Sequence, residues 1–203
     1  NHLYLHSFHT RRSSDLNAYL PKQLTIKEIM KSPDELYQAF KRIQVESMGS
    51  SVVKDVNLAE LIRGHKQVLC IVNTRNHAYR LYNEVGETEG VYHLSARMCP
   101  LHRREVLKEI KIRLSKNEAC KVISTQLIEA GVDVDFPIVY RSMTGIDSIA
   151  QSAGRCNREG RLEIGKVYVF EPEKHGSPKG YMARAASKAR SIFRNYEEIG
   201  RAS

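Results

Sequence analysis

Short apolar runs of four or five residues recur along this chain, and stretches with helical spacing separate them. A strand that is apolar at every position is buried on both faces, which is typical of a parallel sheet. A helix between consecutive parallel strands returns the chain to the same end of that sheet. The predicted strands are 68–72, 91–94, 121–124, 137–140 and 167–170, preceded by an alternating strand over 40–46.

Helices are indicated where apolar residues fall on one face. One passes through Ala78, Leu81 and Val85, a second opens at Pro100, and a third includes Ile149. A further helix start is indicated at 32–35, and a basic helix over roughly 179–199 follows a linker. We therefore predict an α/β fold, a parallel sheet with helices on both faces, followed by a helical tail.

The charge and composition of the chain limit which partners and which cellular location we expect. The formal net charge is +9 and the sequence pI is about 9.4. A basic excess favours a polyanionic partner, although a generic basic surface has the same composition. No apolar run approaches the roughly 18 residues that cross a bilayer, and no secretory signal is visible. We predict a cytoplasmic protein that does not contact a membrane.

The four cysteines are Cys70, Cys99, Cys120 and Cys156. They form no C-x-x-C pair, and no histidine stands at zinc-ligand spacing beside one. Cys70 and Cys120 lie within apolar runs and are predicted to be buried. The sequence therefore predicts a reducing compartment, no disulfide framework and no metal site.

The first sixteen residues have no hydrophobic period, and 6–16 resemble the translated sequence of a sequencing-library adapter with one change. We expect residues 1–16 to be a non-native tail, in preference to a natural basic arm. The expected organisation is this tail, a domain over 17–172, and a linker with a C-terminal helix over 173–203.

The segment 151–158 reads Q-S-A-G-R-C-N-R. On a helix, Gln151, Arg155 and Arg158 would share one face. Two guanidinium groups and an amide can surround a phosphate, since arginine is permanently charged and binds oxygens in a bidentate way. Such a charge accelerates phosphoryl transfer by about 10³–10⁵-fold in ATPases and GTPases. On spacing alone, a solvated basic helix face is the better interpretation.

A second polar cluster begins where strand 121–124 ends. Thr125 offers a hydroxyl at the carboxyl end of the strand, where ligands bind in open α/β sheets. Gly131 permits close backbone approach, and Asp133 can accept a hydrogen bond from a ribose hydroxyl. An ordinary strand-to-helix loop would show the same pattern.

Nothing in the sequence completes a phosphate loop of the form G-x-x-x-x-G-K-[ST], because Gly165-Lys166 is followed by Val167. No D-E-x-[DH] box follows a strand to hold magnesium. We therefore expect the chain alone to hydrolyse ATP poorly. A Rossmann dinucleotide enzyme is excluded, because no G-x-G-x-x-G follows a strand.

In their order along the chain, these segments resemble superfamily-two helicases. Residues 68–75 resemble motif IV, 125–133 motif V and 151–158 motif VI. One family is especially similar, the CRISPR-associated helicase–nuclease of type I interference systems. The runs that carry this similarity are 93–103, 123–137 and 145–161, and the resemblance covers roughly 40–171.

The resemblance implies a second RecA-like domain that closes on a first one around ATP and magnesium and moves along single-stranded DNA. It implies that Arg158 is the arginine finger and that Arg155 is catalytic beside it. The implied ATP-binding residues are Gln151, Gly131 and Asp133. The implied nucleic-acid-binding residues are Asn73, Thr74, Arg75, Arg97 and Thr125. The implied partners are single-stranded DNA and a CRISPR surveillance complex.

Two alternatives stay open. A superfamily-two helicase acting on RNA or repair DNA would carry the same motifs. A non-catalytic nucleic-acid-binding module would use Arg155 and Arg158 to hold backbone phosphates. Nothing in the sequence matches a nuclease domain or a first motor domain, so we expect both elsewhere in a longer parent protein.

Overall fold

A computed structural model describes residues 41–129, 131–176 and 180–201. The predicted tail 1–16 and the helix start at 32–35 lie outside them. Within these ranges, six strands alternate with α-helices, except that a 3-10 turn stands between the fourth and fifth strands. The strands are β1 (Ile43–Val53), β2 (Gln67–Ile71), β3 (Val91–Leu94), β4 (Cys120–Ser124), β5 (Ile138–Ser142) and β6 (Gly165–Pro172). The helices are α1 (Asp55–Gly64), α2 (Arg75–Val85), α3 (Pro100–Ser115), α4 (Ile146–Ala153) and α5 (Tyr181–Arg201), with 3-10 turns at Gln126–Ile128 and Lys174–Gly176.

The six strands form one parallel sheet in the order β1-β6-β5-β2-β4-β3. Strand β2 lies near the middle, where Cys70 is aligned with Ile123 of β4 and with Tyr140 of β5. An α-helix lies in each connection between consecutive strands except that from β4 to β5, which contains the 3-10 turn Gln126–Ile128. The predicted α/β fold with a helical tail is confirmed.

The core explains why β2 is apolar at every position after Gln67. Val68, Cys70 and Val72 belong to the cluster that α1 and α2 cover. Leu69 and Ile71 alternate with them, so they face the other side of the sheet, and both are fully buried as well. Both faces of β2 are therefore covered, and each large side chain there contributes roughly 1.5–3 kcal/mol to folding.

Helix α1 was not predicted. Its buried side chains are Leu58, Ala59 and Ile62, which have helical spacing but stand in a short segment of ten residues. Strand β1 begins at Ile43, three residues after the predicted start of 40–46, and extends to Val53. Because helix and strand ends fray, such boundaries are the weakest part of a sequence-based prediction.

The helix assumed for 151–158 is wrong beyond Ala153, where α4 ends. The backbone beyond it pairs with the segment before β5. The amide of Phe136 donates to the carbonyl of Arg155, and the amide of Asn157 donates to the carbonyl of Phe136, each at 2.9 Å. Asn157 also has a left-handed φ of 45°, which a helix excludes. Arg155 and Arg158 are therefore placed by a turn.

In the described part of the chain, no helix is long and apolar enough to cross a bilayer. The prediction for Cys70 and Cys120 is confirmed, since both are free thiols in the core. Burial raises the pKa of Cys120 to about 12. These two thiols therefore pack as small apolar side chains.

Candidate functional site

The motif VI turn lies at the amino edge of the sheet, opposite the carboxyl edge where we expected ligands. Asn157 is its centre: its side-chain amide donates to the carbonyls of Arg42 and Leu162, each at 2.8 Å. Arg42 directly precedes β1, and its carbonyl also accepts from the amide of Gly165, which opens β6. The amino ends of two strands thus fix this turn.

Arg158 projects from the turn onto Asp133. Its Nη1 lies 2.8 Å from Oδ1 of Asp133, and the two side chains are 46% and 72% exposed. The backbone amides of Arg158 and Glu159 donate to the carboxylate of Asp135 at 2.7 and 3.3 Å. The backbone is therefore anchored, while the guanidinium stays at the surface on a partner that solvent can replace.

Arg155 lies beside it and is tied to the motif V loop. Its Nε donates to the carbonyl of Ile128 at 3.2 Å, and Nη2 donates to that of Glu129 at 2.6 Å. Burial and the neighbouring Arg158 lower the pKa of Arg155. The structure thus brings the two predicted catalytic arginines together with the loop that carries Asp133.

The other two predicted ATP-binding residues lie on the surface of the same region. Gln151 is exposed on α4, before the motif VI turn. Gly131 has a φ of 70°, which favours glycine, and a Cβ there would meet no atom within 4 Å. The backbone at Gly131 is therefore open to a ligand.

Glu129 is buried beneath the arginines and is fully engaged. Its Oε1 lies 2.9 Å from Nε of Arg141 and accepts from Ser152 at 2.9 Å. Its Oε2 accepts from the hydroxyl of Ser148 at 2.8 Å. Motif V is thereby fastened to both α4 and β5.

Arg141 extends these contacts to the carboxyl edge. Its Nη1 donates to Oδ1 of Asn73 at 2.8 Å and to the carbonyl of Ser142 at 3.0 Å. Burial lowers the pKa of Arg141, and the Glu129 carboxylate opposes that shift. The series Asn73–Arg141–Glu129–Arg155 joins the two edges of the sheet, and we call it the buried polar chain after its two buried members, Arg141 and Glu129.

A cleft of about 500 Å³ opens at the carboxyl edge. Its lining includes three predicted nucleic-acid-binding residues: Thr74, Arg75 and Arg97. Arg75 begins α2 and Thr74 caps it, accepting from the amide of His77 at 3.1 Å. The start of a helix beside two arginines is suited to a phosphate group.

The other two predicted nucleic-acid-binding residues do not line this cleft. Thr125 follows β4, and its amide donates to the carbonyl of Leu94 at 3.4 Å, which places it at the same edge. Asn73 turns inward, because its Nδ2 donates to the carbonyl of Met143 at 2.9 Å. Its nucleic-acid role stays a prediction, and its side chain belongs to the buried polar chain.

A partial phosphate-loop spacing occurs as well, since Gly160 stands five residues before Gly165. That loop must connect a strand to a helix. Gly165 and Lys166 instead open β6, and Gly165 packs against Cys156 and Asn157. Gly165 and Lys166 are therefore part of the sheet and do not form a phosphate-binding loop.

Comparison with known proteins agrees with this fold. Residues 64–161 match the family model described as CRISPR-associated nuclease/helicase Cas3, C-terminal. The chain is similar to that family over these residues, which we refer to as the Cas3-like domain. A Cas3 nuclease/helicase of Methanothermobacter thermautotrophicus is 31% identical over 136 residues, which are 65% of this chain and 16% of that relative.

Solved structures share the fold of the Cas3-like domain. T. fusca Cas3 with AMPPNP matches 90% of this chain and 23% of its own, with a TM-score of 0.61 and 18% identity. A chain in a pre-nicking CRISPR RNA-guided surveillance complex matches 77% of this chain and 23% of its own, with a TM-score of 0.60 and 19% identity. This chain therefore spans less than a quarter of each of these relatives.

Several residues that organise the Cas3-like domain were missed from sequence. They are Tyr79, Glu129, Asp135, Arg141 and Asn157. Tyr79 is 57% exposed in the carboxyl-edge cleft, with its ring 6.3 Å from that of His93. An exposed aromatic on α2, one turn after Arg75, was a usable signal. Arg141 lies within an apolar strand, and the sequence does not show which carboxylate it meets.

Proposed function

We propose that this domain is the second motor domain of an ATP-dependent translocase that acts on single-stranded DNA in CRISPR interference. The buried polar chain carries the proposal. It connects Arg155, which lies beside Arg158, with Asn73, which directly precedes Thr74 in the lining of the carboxyl-edge cleft. Networks of hydrogen bonds and ion pairs of this kind can carry energetic coupling between two distant sites.

At the amino edge, Arg158 is the proposed arginine finger. ATP with magnesium supplies the phosphoryl group and is held mainly by a first motor domain. Arg158 is accessible and anchored through its backbone, so its guanidinium can leave Asp133 for a phosphate oxygen without unfolding the turn. The released Asp133 carboxylate can then accept from a ribose hydroxyl. Positive charge at the transferred group is usually the largest contribution to such catalysis.

At the carboxyl edge, Arg75 and Arg97 are proposed to hold backbone phosphates beside the start of α2. Thr125 adds a hydroxyl at the end of β4. Tyr79 supplies an exposed ring on which a base can stack, independent of base identity. This combination suits a strand that must slide, since no contact depends on sequence.

The proposed mechanism alternates between these edges. When the two motor domains close, Arg158 and Arg155 move against the nucleotide, and Arg155 carries the motif V loop through the carbonyl of Glu129. Arg141 transmits the shift, because it bonds to both Glu129 and Asn73. Strand grip thus changes with hydrolysis.

The remaining assignments belong to the same proposal. The motor domain comprises 17–172, and 173–203 form a linker and helix. A CRISPR surveillance complex is the proposed partner and the cytoplasm the proposed compartment. The 203-residue chain alone is expected to lack ATPase activity, because its sequence contains no complete phosphate loop.

The decisive experiment compares Arg158→Ala with Arg161→Ala in the full-length parent protein. Arg161 is a matched control: it is exposed, three residues away, and paired with Glu159. Arg158→Ala should keep ATP affinity and lower kcat by about 10³-fold or more. Arg161→Ala should leave kcat within a factor of about two, as expected for a weak surface pair. ATPase turnover retained in Arg158→Ala would refute the finger.

A second experiment separates the alternatives. Thr125→Ala should weaken binding of the parent to single-stranded DNA, and DNA should stimulate its ATPase more than RNA does. Greater stimulation by RNA would favour an RNA helicase. Binding by the isolated chain that falls steeply with salt, without any ATPase in the parent, would favour the non-catalytic module.

A further inference from the structure

Asp55, His77 and His175 meet at the carboxyl edge, behind the cleft. Asp55 is the first residue of α1, His77 lies in the first turn of α2, and His175 lies in the 3-10 turn after β6. Nε2 of His77 is 2.9 Å from Oδ1 of Asp55, and Nε2 of His175 is 2.8 Å from Oδ2. One ligand atom from each residue lies within 4.8 Å of the others.

Two imidazole nitrogens and a carboxylate oxygen are a ligand set typical of Zn²⁺, with Co²⁺ and Ni²⁺ as substitutes. Mg²⁺ and Ca²⁺ prefer oxygen ligands alone, so the magnesium that accompanies ATP would not compete strongly. Zinc bonds of about 2.0–2.2 Å separate tetrahedral ligands by about 3.3 Å. The two histidines contact different oxygens of Asp55, and those nitrogen–oxygen pairs need to open by a few tenths of an ångström. The widest ligand separation, which is at most 4.8 Å, must close by up to about 1.5 Å.

The surroundings leave room for a further ligand. The His77 side chain is fully buried, whereas Asp55 and His175 are 13% and 24% exposed. An ion is therefore reachable from one side, where water can complete its coordination. Glu173 lies next to the cluster, and its Oε2 accepts from the amide of Asp55 at 3.0 Å. A second carboxylate nearby favours a cation.

The surroundings of the His77 ring limit the expected affinity for Zn²⁺. Nδ1 of His77 is buried without a hydrogen-bond partner, and a Cβ on Gly176 would collide with it. In the metal-free cluster, the ring proton therefore belongs on Nε2, toward Asp55. Metal binding at Nε2 moves this proton to Nδ1, which has no hydrogen-bond acceptor within reach. Loss of that outer contact typically weakens metal affinity 10- to 100-fold.

We infer that Asp55, His77 and His175 form a Zn²⁺ site of moderate affinity, weaker than four-ligand structural sites. The metal fastens the 3-10 turn onto the starts of α1 and α2. Two weaker contacts already align that turn: Oγ1 of Thr74 to the carbonyl of His175 at 3.5 Å, and Nδ2 of Asn73 to that of Gly176 at 3.4 Å. The inference does not depend on motor activity.

The test uses the 203-residue chain, stripped of metal with a chelator and titrated with Zn²⁺. One ion per chain should bind, and at 100-fold excess over Kd it should raise Tm by roughly 5–10 °C. The variants Asp55→Asn and His175→Gln should lose both effects, while His102→Gln, an exposed histidine on α3, should keep them. Titration in a Cys99→Ser background excludes zinc held by the exposed thiol.

X-ray absorption of the zinc-loaded wild-type chain keeps the result independent of variant folding. Two imidazole ligands with oxygen and no sulfur are expected. Zinc binding that is absent, that survives unchanged in both variants, or that shows sulfur ligands would overturn the site. The three side chains would then form a hydrogen-bonded cluster only.

Discussion

Nε of Arg141 lies 2.9 Å from Oε1 of Glu129, and the two side chains are 0% and 4% exposed. Removing two charges from water is costly, and their attraction compensates only when further hydrogen bonds satisfy both groups. Here the serine hydroxyls of α4 donate to Glu129, and Nη1 of Arg141 donates to the amide oxygen of Asn73. Nε of Arg141 makes no hydrogen bond and contributes only to the ion pair. The pair specifies how motif V sits on the sheet more than it stabilises the fold.

Glu129→Ala should destabilise the domain by about 3–5 kcal/mol, since it leaves Arg141 buried without its counter-charge. The double variant with Arg141→Met should lose clearly less, because no charge is then left unpaired. Urea unfolding of both variants measures the difference. Glu159→Ala, which breaks an exposed pair, is the control and should cost under about 1 kcal/mol. Equal losses in the single and double variants would contradict the pairing argument.

Arg141→Lys in the full-length parent should uncouple the two edges. Lysine keeps the charge but cannot hold Glu129 and Asn73 together with a planar fork. Stimulation of ATPase by single-stranded DNA should fall several-fold, whereas the Kd for DNA should change less. Arg161→Lys serves as the control. If stimulation and affinity fell together, Arg141 would have only a structural role.

Asp133→Ala, which removes the acceptor, should hardly alter stability, because its pair with Arg158 is largely exposed. In the parent, KM for ATP should rise by roughly 5- to 10-fold, which corresponds to one lost hydrogen bond of about 1 kcal/mol. Steady-state kinetics and urea unfolding measure the two effects. An unchanged KM would remove Asp133 from the nucleotide edge.

Tyr79→Ala should raise the Kd for single-stranded DNA by roughly 5- to 150-fold, as expected for one lost base stack of about 1–3 kcal/mol. Tyr79→Phe keeps the ring and should bind almost normally. Tyr181→Ala removes an even more exposed tyrosine on α5 and is the control. Fluorescence anisotropy with a labelled oligonucleotide gives the affinities. Equal losses in Tyr79→Ala and Tyr181→Ala would point to a nonspecific effect.

His93 should make stability depend on pH. Burial lowers its pKa from the ordinary value of 6.5, so below that pH the unfolded chain binds a proton that the folded domain resists. The contribution of His93 to the free energy of unfolding should therefore fall as pH drops from about 7. It should level off below the folded-state pKa.

Urea unfolding between pH 7.5 and 5.5 tests this effect. His93→Phe keeps ring contacts with Tyr79 and Tyr82 but cannot titrate, so its pH slope should be smaller than that of the wild type. His102→Gln should retain the wild-type slope. An identical slope in His93→Phe would assign the pH dependence to other groups.

Much of the fold was predictable because buried strands and amphipathic helices carry their pattern locally. Strand β3 was predicted at its observed residues, and α5 was displaced by only two residues at each end. Helix α1 was missed because its three buried residues, Leu58, Ala59 and Ile62, are recognisable as a core face only once they pack against the sheet. Arg155 and Arg158 were correctly predicted to lie near each other, but the prediction assumed one continuous helix, whereas a turn after α4 places them.

The sequence by itself determined the parallel sheet, the order of its elements and the motifs that resemble a helicase, since periodicity and motif spacing are local properties of a chain. Only the tertiary structure decided that motif VI turns at the amino edge, that Asn73 faces inward, and that Asp55 meets two histidines. Those outcomes depend on which backbone groups and charges find partners from distant segments. The pairing of Arg141 with the carboxylate of Glu129, for example, forms only when the folded sheet brings the two residues together.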